Sequence, residues 1–353
     1  MKLRSSRFSL WEYLLFVILT FAVLCVCVCV GSVSIPLGET LSVFTDAAHA
    51  LLHSAVSKTP LELPAGLTAS IILSVRLPRV LCAAMSGAAL SVSGAAMQGL
   101  LKNPLADGST LGVSSGAALG AVIAIAFGIT FRALPFAGTM VMAVLFAFFS
   151  LLIILGLAYK LDYSLATNTI ILIGVIFSMF VSGLMSIVIT FAPDKVQHIT
   201  FWTMGSLQGA GYTDALFLLA ALVLFGGVIF LHIRELNAFA MGEDNAQHIG
   251  VDVRRVKLTI LITVSGLIGI CVSIGGVIGF VGLVTPHMVR MVVGPNHHRL
   301  MPASLFGGAV FLMLADLAAR ILLNPRELNI GIVTSLVGTV VFMFIFCSSR
   351  RGQ

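Results

Sequence analysis

Hydrophobic positions in this chain run on without the regular interruption by polar residues that marks an amphipathic helix or a half-buried strand. Apolar stretches long enough to cross roughly 30 Å of hydrocarbon recur from end to end, at 10–33, 77–100, 110–129, 134–159, 166–191, 214–233, 256–276, 278–293, 302–323 and 328–347. The pattern predicts an all-α polytopic membrane protein with about ten transmembrane helices. The eighth stretch lies in "SIGGVIGFVGLVTPHMVRMVVG", whose glycines at 275, 276, 279 and 282 and Pro286 predict broken or kinked helices. One polar island, "AFAMGEDNAQHIGVDVRRVK" at 238–257, interrupts the apolar pattern with six charged side chains.

Composition agrees with this pattern. Hydrophobic residues make up 59% of the chain and charged residues 10%, with a mean hydropathy of +1.10, more than a water-soluble domain can bury. No Pro- or Ser-rich linker divides residues 1–353, which read as a single transmembrane domain. An even number of spans puts both termini on one side. Lys2, Arg4 and Arg7 at one end and Arg350 and Arg351 at the other make that side cytoplasmic. In this orientation 13 of the 20 Lys and Arg lie inside, and the polar island faces the cytoplasm. The same bias accounts for a pI near 9.2 without a nucleic-acid partner. The apolar run from Phe8 to Val30 exceeds the roughly 7–15 residues of a cleaved signal segment. Within it Cys25, Cys27 and Cys29 do not share a helix face, so they suit packing rather than a disulfide framework or a metal.

Most loops are short, so neighbouring helices pack antiparallel; the longest is external, at about 34–75. Gly87, Gly94 and Gly99 in the second span and Gly112, Gly116 and Gly120 in the third permit close helix approach. Spans two to five begin outside and spans seven to ten inside, the topology of inverted repeats in transporters.

Little in the chain carries reaction chemistry. There is no GxxxxGK[ST], and no lysine follows a glycine, so ATP hydrolysis by a phosphate-binding loop belongs to another chain. His287 and the His297/His298 pair lack the helical spacing of a zinc site, and no metal or other cofactor is expected in this chain. Asp316 is the best intramembrane carboxylate, and Arg320, four residues on, is placed to pair with it on one helix face. The rival role for Asp316 is the coupling group of an ion-coupled secondary transporter working alone. Arg76, Arg79 and Arg320 fall on the outer side, against the charge bias. They either snorkel to headgroups or offer forked bonds to the carboxylates of an acidic external partner. In the polar island Glu243 and Asp244 suit a first helical turn and Gly242 and Gly250 bracket a short element, a plausible contact for a motor protein or else an ordinary solvated loop.

Four blocks then carry a likeness across nearly the whole chain: "RLPRVLCAAMSGAALSVSGAAMQGLLKNPLADGSTLGVSSGAALG" (76–120), "AMGEDNAQHIGVDV" (240–253), "GFVGLVTPHMVR" (279–290) and "LADLAARILLNPRELNIGIVTSLVGTVVF" (314–342). In this order they resemble the FecCD-like permeases of type II ABC importers, which carry iron–siderophore complexes, haem and cobalamin. The resemblance implies the type II importer permease fold in a bacterial inner membrane. It also implies a dimer of permease chains, usually identical, above two ATPase subunits that bind ATP and Mg, with a substrate-binding protein outside. It makes a coupling segment of about 238–253, with Ala240, Met241, Gly242, Glu243, Asp244, Ala246, Gln247 and Gly250 toward the ATPase. It makes Arg76, Arg79 and Arg320 the docking residues for the binding protein. The turn "DYSLATN" (162–168), with Ser164, Leu165, Ala166, Thr167 and Asn168, resembles the cytoplasmic gate. The fifth helix, the segment after it and the tenth helix resemble the path lining. Asn329 in "ELNIG" stands where the family usually has proline. Met179, Met185 and Met204 suit either the path or plain packing, and an iron–siderophore complex is the first choice of cargo as the broadest class in the family.

Overall fold

The computed structural model of the chain describes residues 8–33, 35–57, 64, 66–108, 111–130, 138–163 and 166–351. Lys2, Arg4 and Arg7, on which the predicted orientation partly rests, lie outside them. The elements in order are α1 (Leu10–Cys29), α2 (Leu37–Ser57), α3 (Leu67–Leu100), α4 (Val113–Phe127), α5 (Gly138–Leu161), α6 (Thr167–Thr190), α7 (Val196–Thr203), α8 (Tyr212–Leu231), α9 (Ile233–Ala240), α10 (Glu243–His248), α11 (Val253–Gly275), α12 (Val281–Val293), α13 (His297–Ile321) and α14 (Ile330–Arg351). Among the described residues α1, α3, α5, α6, α8, α11 and α13 are long and apolar enough to cross a membrane, and α4, α12 and the Ile330–Phe344 part of α14 are shorter apolar helices. Together they coincide with the ten predicted runs.

The largest differences from the sequence reading lie between the first and second spans. The long loop at 34–75 contains α2, and the second span starts at Leu67 instead of 77. Pro78 and the flanking arginines look like a helix start, but a wide π-type turn over Ile71–Arg76 shifts the hydrogen bonds, so Leu77 N–H reaches back to Ile72 O and the helix passes through the proline.

Local signals set the other ends. Ser9 and Glu12 form a reciprocal capping box at α1. Asp252 accepts the Arg255 N–H at 3.0 Å to open α11, which closes on Gly276 in the left-handed region.

The core is built around α3, where every residue from Ser86 to Leu100 is buried among α11, α12 and α13. Small side chains make this possible: a methyl group on Gly87 would overlap the Gly308 carbonyl, and one on Gly94 the Gly282 carbonyl. Large apolar side chains stay exposed on α1, α5, α6 and α8, including Trp11, Phe149, Phe180 and Leu224, as a lipid-facing surface requires.

The predicted break is present between α11 and α12. Pro286 has no N–H, so the Gly282 carbonyl loses its helical donor. Gln98 supplies one: its Nε2 donates to Gly282 O at 3.3 Å and Leu283 O at 3.1 Å, while its Oε1 accepts from Arg290 at 3.0 Å.

Side-chain contacts fix which helix ends meet. The starts of α1 and α13 join through Glu12 and Arg299, and Asn237 on α9 holds the His297 backbone N–H at 2.8 Å. These contacts define the end that carries the polar island. At the opposite end Arg79 meets Asp316, Tyr212 donates to Leu73 O, and Asn329 Nδ2 donates to Phe201 O at 2.8 Å.

Candidate functional site

The polar island folds into the end of α9, the short α10 and the start of α11. Gly242 (φ +119°) and Gly250 (φ +90°) occupy backbone conformations that side chains disfavour, which is why α10 begins and ends so abruptly. Ala246 is buried beneath it, while Ala240, Met241, Asp244, Gln247 and Gly250 are exposed. Ile249, which the sequence pattern did not single out, is 63% exposed and Met241 60%, so the exposed surface flanking α10 mixes apolar and polar groups.

Glu243 behaves differently from its neighbours. Its Oε2 lies 2.7 Å from Lys257 Nζ, on a lysine with no exposed surface in the first turns of α11. Its Oε1 accepts from Thr167 Oγ1 at 3.4 Å. Lys257 was visible in the sequence only as one more inside charge; nothing local marks a pair fourteen positions apart.

Thr167 opens α6, and the turn before it is the predicted gate. Ser164 and Leu165 lie outside the described residues. The Ala166 N–H donates to Asp162 Oδ2 at 3.2 Å, and Asn168 is exposed one step into the helix. The first turn of α6 and the polar island thus meet at Glu243.

At the opposite end the three predicted arginines converge, but they face inward. Their exposures are 5% for Arg76, 6% for Arg79 and 3% for Arg320, so all three guanidiniums are engaged within the chain. The reason lies at the C-terminus of α1, whose last carbonyls have no helical donors. Arg76 Nη1 donates to Val28 O at 3.1 Å and Cys29 O at 2.8 Å, and its Nη2 to Val33 O. Arg320 donates to Cys27 O at 2.9 Å and Val30 O at 3.2 Å. Two cations from other helices therefore cap α1 and complement its dipole. Arg320 also pairs with Asp316 as predicted, Nε to Oδ2 at 3.0 Å. Arg79 bridges Asp316 at 2.9 Å and Glu327 at 2.7 Å, and Glu327 keeps 25% of its side chain exposed at the rim. A carboxylate held between two guanidiniums is an anchored counter-ion within the fold.

Between the ends, Met179 is 72% exposed on α6 and Met204 41% exposed after α7, whereas Met185 packs on Val122, Ile125 and Ile199. A cleft of about 300 Å³ lies between His198, Trp202, Gln208, Ile274 and Asn329. Asn329 does what a proline could not, donating its side-chain amide to hold α7. Among the described residues no three His, Cys, Asp or Glu side chains gather as a metal-binding group. His297 instead lies 2.9 Å from Asn237 Oδ1 through its Nδ1.

The chain matches the FecCD transport family over residues 18–348. It is 38% identical to the uncharacterized ABC transporter permease protein YvrB of Bacillus subtilis (strain 168), over 99% of this chain and 97% of that protein. It is 34% identical to the cobalamin import system permease protein BtuC of Halobacterium salinarum, over 88% and 85%. It is 37% identical to the hemin transport system permease protein HmuU of Yersinia pestis, over 80% and 85%. A solved chain from an inward-facing conformation of an ABC transporter assigned to the metal-chelate type superposes with a TM-score of 0.81 at 28% identity, over 96% of this chain and 99% of that one. The likeness runs the length of the molecule and covers both of its polar ends: the chain belongs to the FecCD transport family, as the membrane-spanning permease subunit of an ABC importer.

Proposed function

We propose that this permease moves a bulky metal chelate inward, an iron–siderophore complex first and haem or cobalamin next, through the axis of a homodimer. Both termini and α10 are cytoplasmic. ATP and Mg bind the partner ATPase, and its closure moves α10 and switches the path between outward- and inward-facing states. The segment 238–253 seats on the ATPase through the exposed face of Ala240, Met241, Asp244, Gln247 and Gly250, with Gly242 and Ala246 shaping it. The gate is the turn from Ser164 to Asn168. The binding protein docks on the rim held by Arg76, Arg79 and Arg320, reaching the cluster at its Glu327 edge. Path walls on α6, α7 and α14 bind cargo weakly, since an apolar wall with few fixed donors permits release.

The observation that carries this reading is the exposed α10, set between two left-handed glycines and standing against the first turn of α6. Its test is uptake into proteoliposomes holding this chain with its co-expressed ATPase and binding protein. Ferric siderophore, haem and cobalamin are offered in turn, and one of them should enter only when ATP and the binding protein are both present. Uptake of any of them without the ATPase would overturn it.

A further inference from the structure

We infer that Glu243 is a strut inside the permease that ties the position of α10 to the first turn of α6. The inference rests on the coupling role proposed for α10, and it gives Glu243 a different task from the exposed residues around it.

The geometry divides the carboxylate between two helices. Lys257 Nζ, 2.7 Å from Oε2, has no exposed surface, so separating the pair would leave a buried ammonium without its carboxylate. This is the firm tie, and it makes α10 follow α11. Thr167 Oγ1, 3.4 Å from Oε1, is a neutral, longer contact on a half-buried side chain. This is the looser of the two ties, and the one that reaches α6. Gly242 and Gly250 supply backbone freedom on either side of α10. A displacement of α10 therefore acts on α6 through one hydroxyl–carboxylate contact, one residue from the Ala166 N–H to Asp162 Oδ2 bond. Glu243 is in this view a positioning residue that faces into the protein, and the ATPase is met by its neighbours.

The test uses the complex of this chain with its ATPase and binding protein, reconstituted in lipid. Its readouts are cargo taken up per ATP hydrolysed and the ATP-dependent change in maleimide labelling of an Asn168→Cys probe, with the exposed Cys25 and Cys347 replaced by serine. Glu243→Gln removes the carboxylate from a buried Lys257 and risks misfolding, so the informative pair is Thr167→Val and Thr167→Ser. The valine removes the hydroxyl at nearly constant shape, and the serine keeps it. Expected is a fall in uptake per ATP of about 2-fold or more in Thr167→Val, a coupling loss at the low end of what such contacts carry. The labelling response should be lost with it, and both should be restored in Thr167→Ser. Unchanged uptake per ATP and an unchanged labelling response in Thr167→Val would overturn the strut while leaving the importer reading intact. If the unsubstituted complex shows no ATP-dependent uptake, the importer reading fails and the strut falls with it.

Discussion

Arg79 and Asp316 stand 2.9 Å apart across 237 positions of sequence, with 8% and 1% of their side chains exposed. Arg320 closes on the other oxygen, so the charge of Asp316 is shared by two helices. Asp316→Asn takes the carboxylate from Arg320 and leaves Arg79 with Glu327 alone in a poorly solvated site, and a loss of about 3–5 kcal/mol is expected. Thermal unfolding of the purified permease should fall accordingly, and any uptake that survives should stay ATP-driven and indifferent to a collapsed proton gradient. Proton-gradient-driven uptake by the unsubstituted chain alone would restore the secondary-transporter reading.

Arg76 is the first cap of α1. Arg76→Met keeps much of the volume but withdraws the donors to Val28, Cys29 and Val33. Leaving those carbonyls unmet should cost about 1–3 kcal/mol, visible as a lower unfolding temperature without any binding protein present. A residue reserved for docking alone would show no such change.

Gln98 stands in for the backbone donor that Pro286 lacks. Gln98→Leu fits the space but orphans the Gly282 carbonyl and releases Arg290 from its acceptor, with an expected loss of about 1–3 kcal/mol. Restoring the helical donor instead, with Pro286→Ala in the Gln98→Leu background, should recover part of that loss in denaturation curves.

Gly94 and Gly156 make a matched comparison. A methyl group on Gly94 meets the Gly282 backbone, while one on Gly156 meets nothing within 4 Å. Gly94→Ala should destabilise by about 1–3 kcal/mol through overpacking, and Gly156→Ala should leave the unfolding temperature unchanged or slightly raised. Equal behaviour of the two variants would contradict the close α3–α12 contact.

Met241, just before α10, and Gln247 within it are both exposed. Met241→Asp with Gln247→Glu should leave the stability of the permease within about 0.5 kcal/mol, as surface changes generally do. The same pair should reduce co-purification of the ATPase. Retained association at wild-type levels would move the coupling surface elsewhere.

How much was legible beforehand follows from what kind of quantity each feature is. Apolar runs are sums over neighbouring residues, so the seven helices long enough to cross a membrane and the three shorter apolar ones were readable from hydropathy alone. The break around Pro286 and the short element between Gly242 and Gly250 were equally readable, because a missing N–H and a positive φ are properties of single residues. The start of α3 was misplaced by ten residues because Pro78 is an ambiguous local signal, and only the widened turn before it shows which way it is resolved. What a charge does is decided by whatever the fold brings beside it. Arg76 and Arg320 looked like open outer charges and are spent on the end of α1; Glu243 looked like part of a surface helix and is paired with a buried lysine. Local sequence set where the helices are, since burial in lipid rewards each segment independently. Packing of segments far apart in the chain alone decided which polar groups remain available for function, since an ion or carbonyl shut off from water must find its partner wherever the tertiary structure places one.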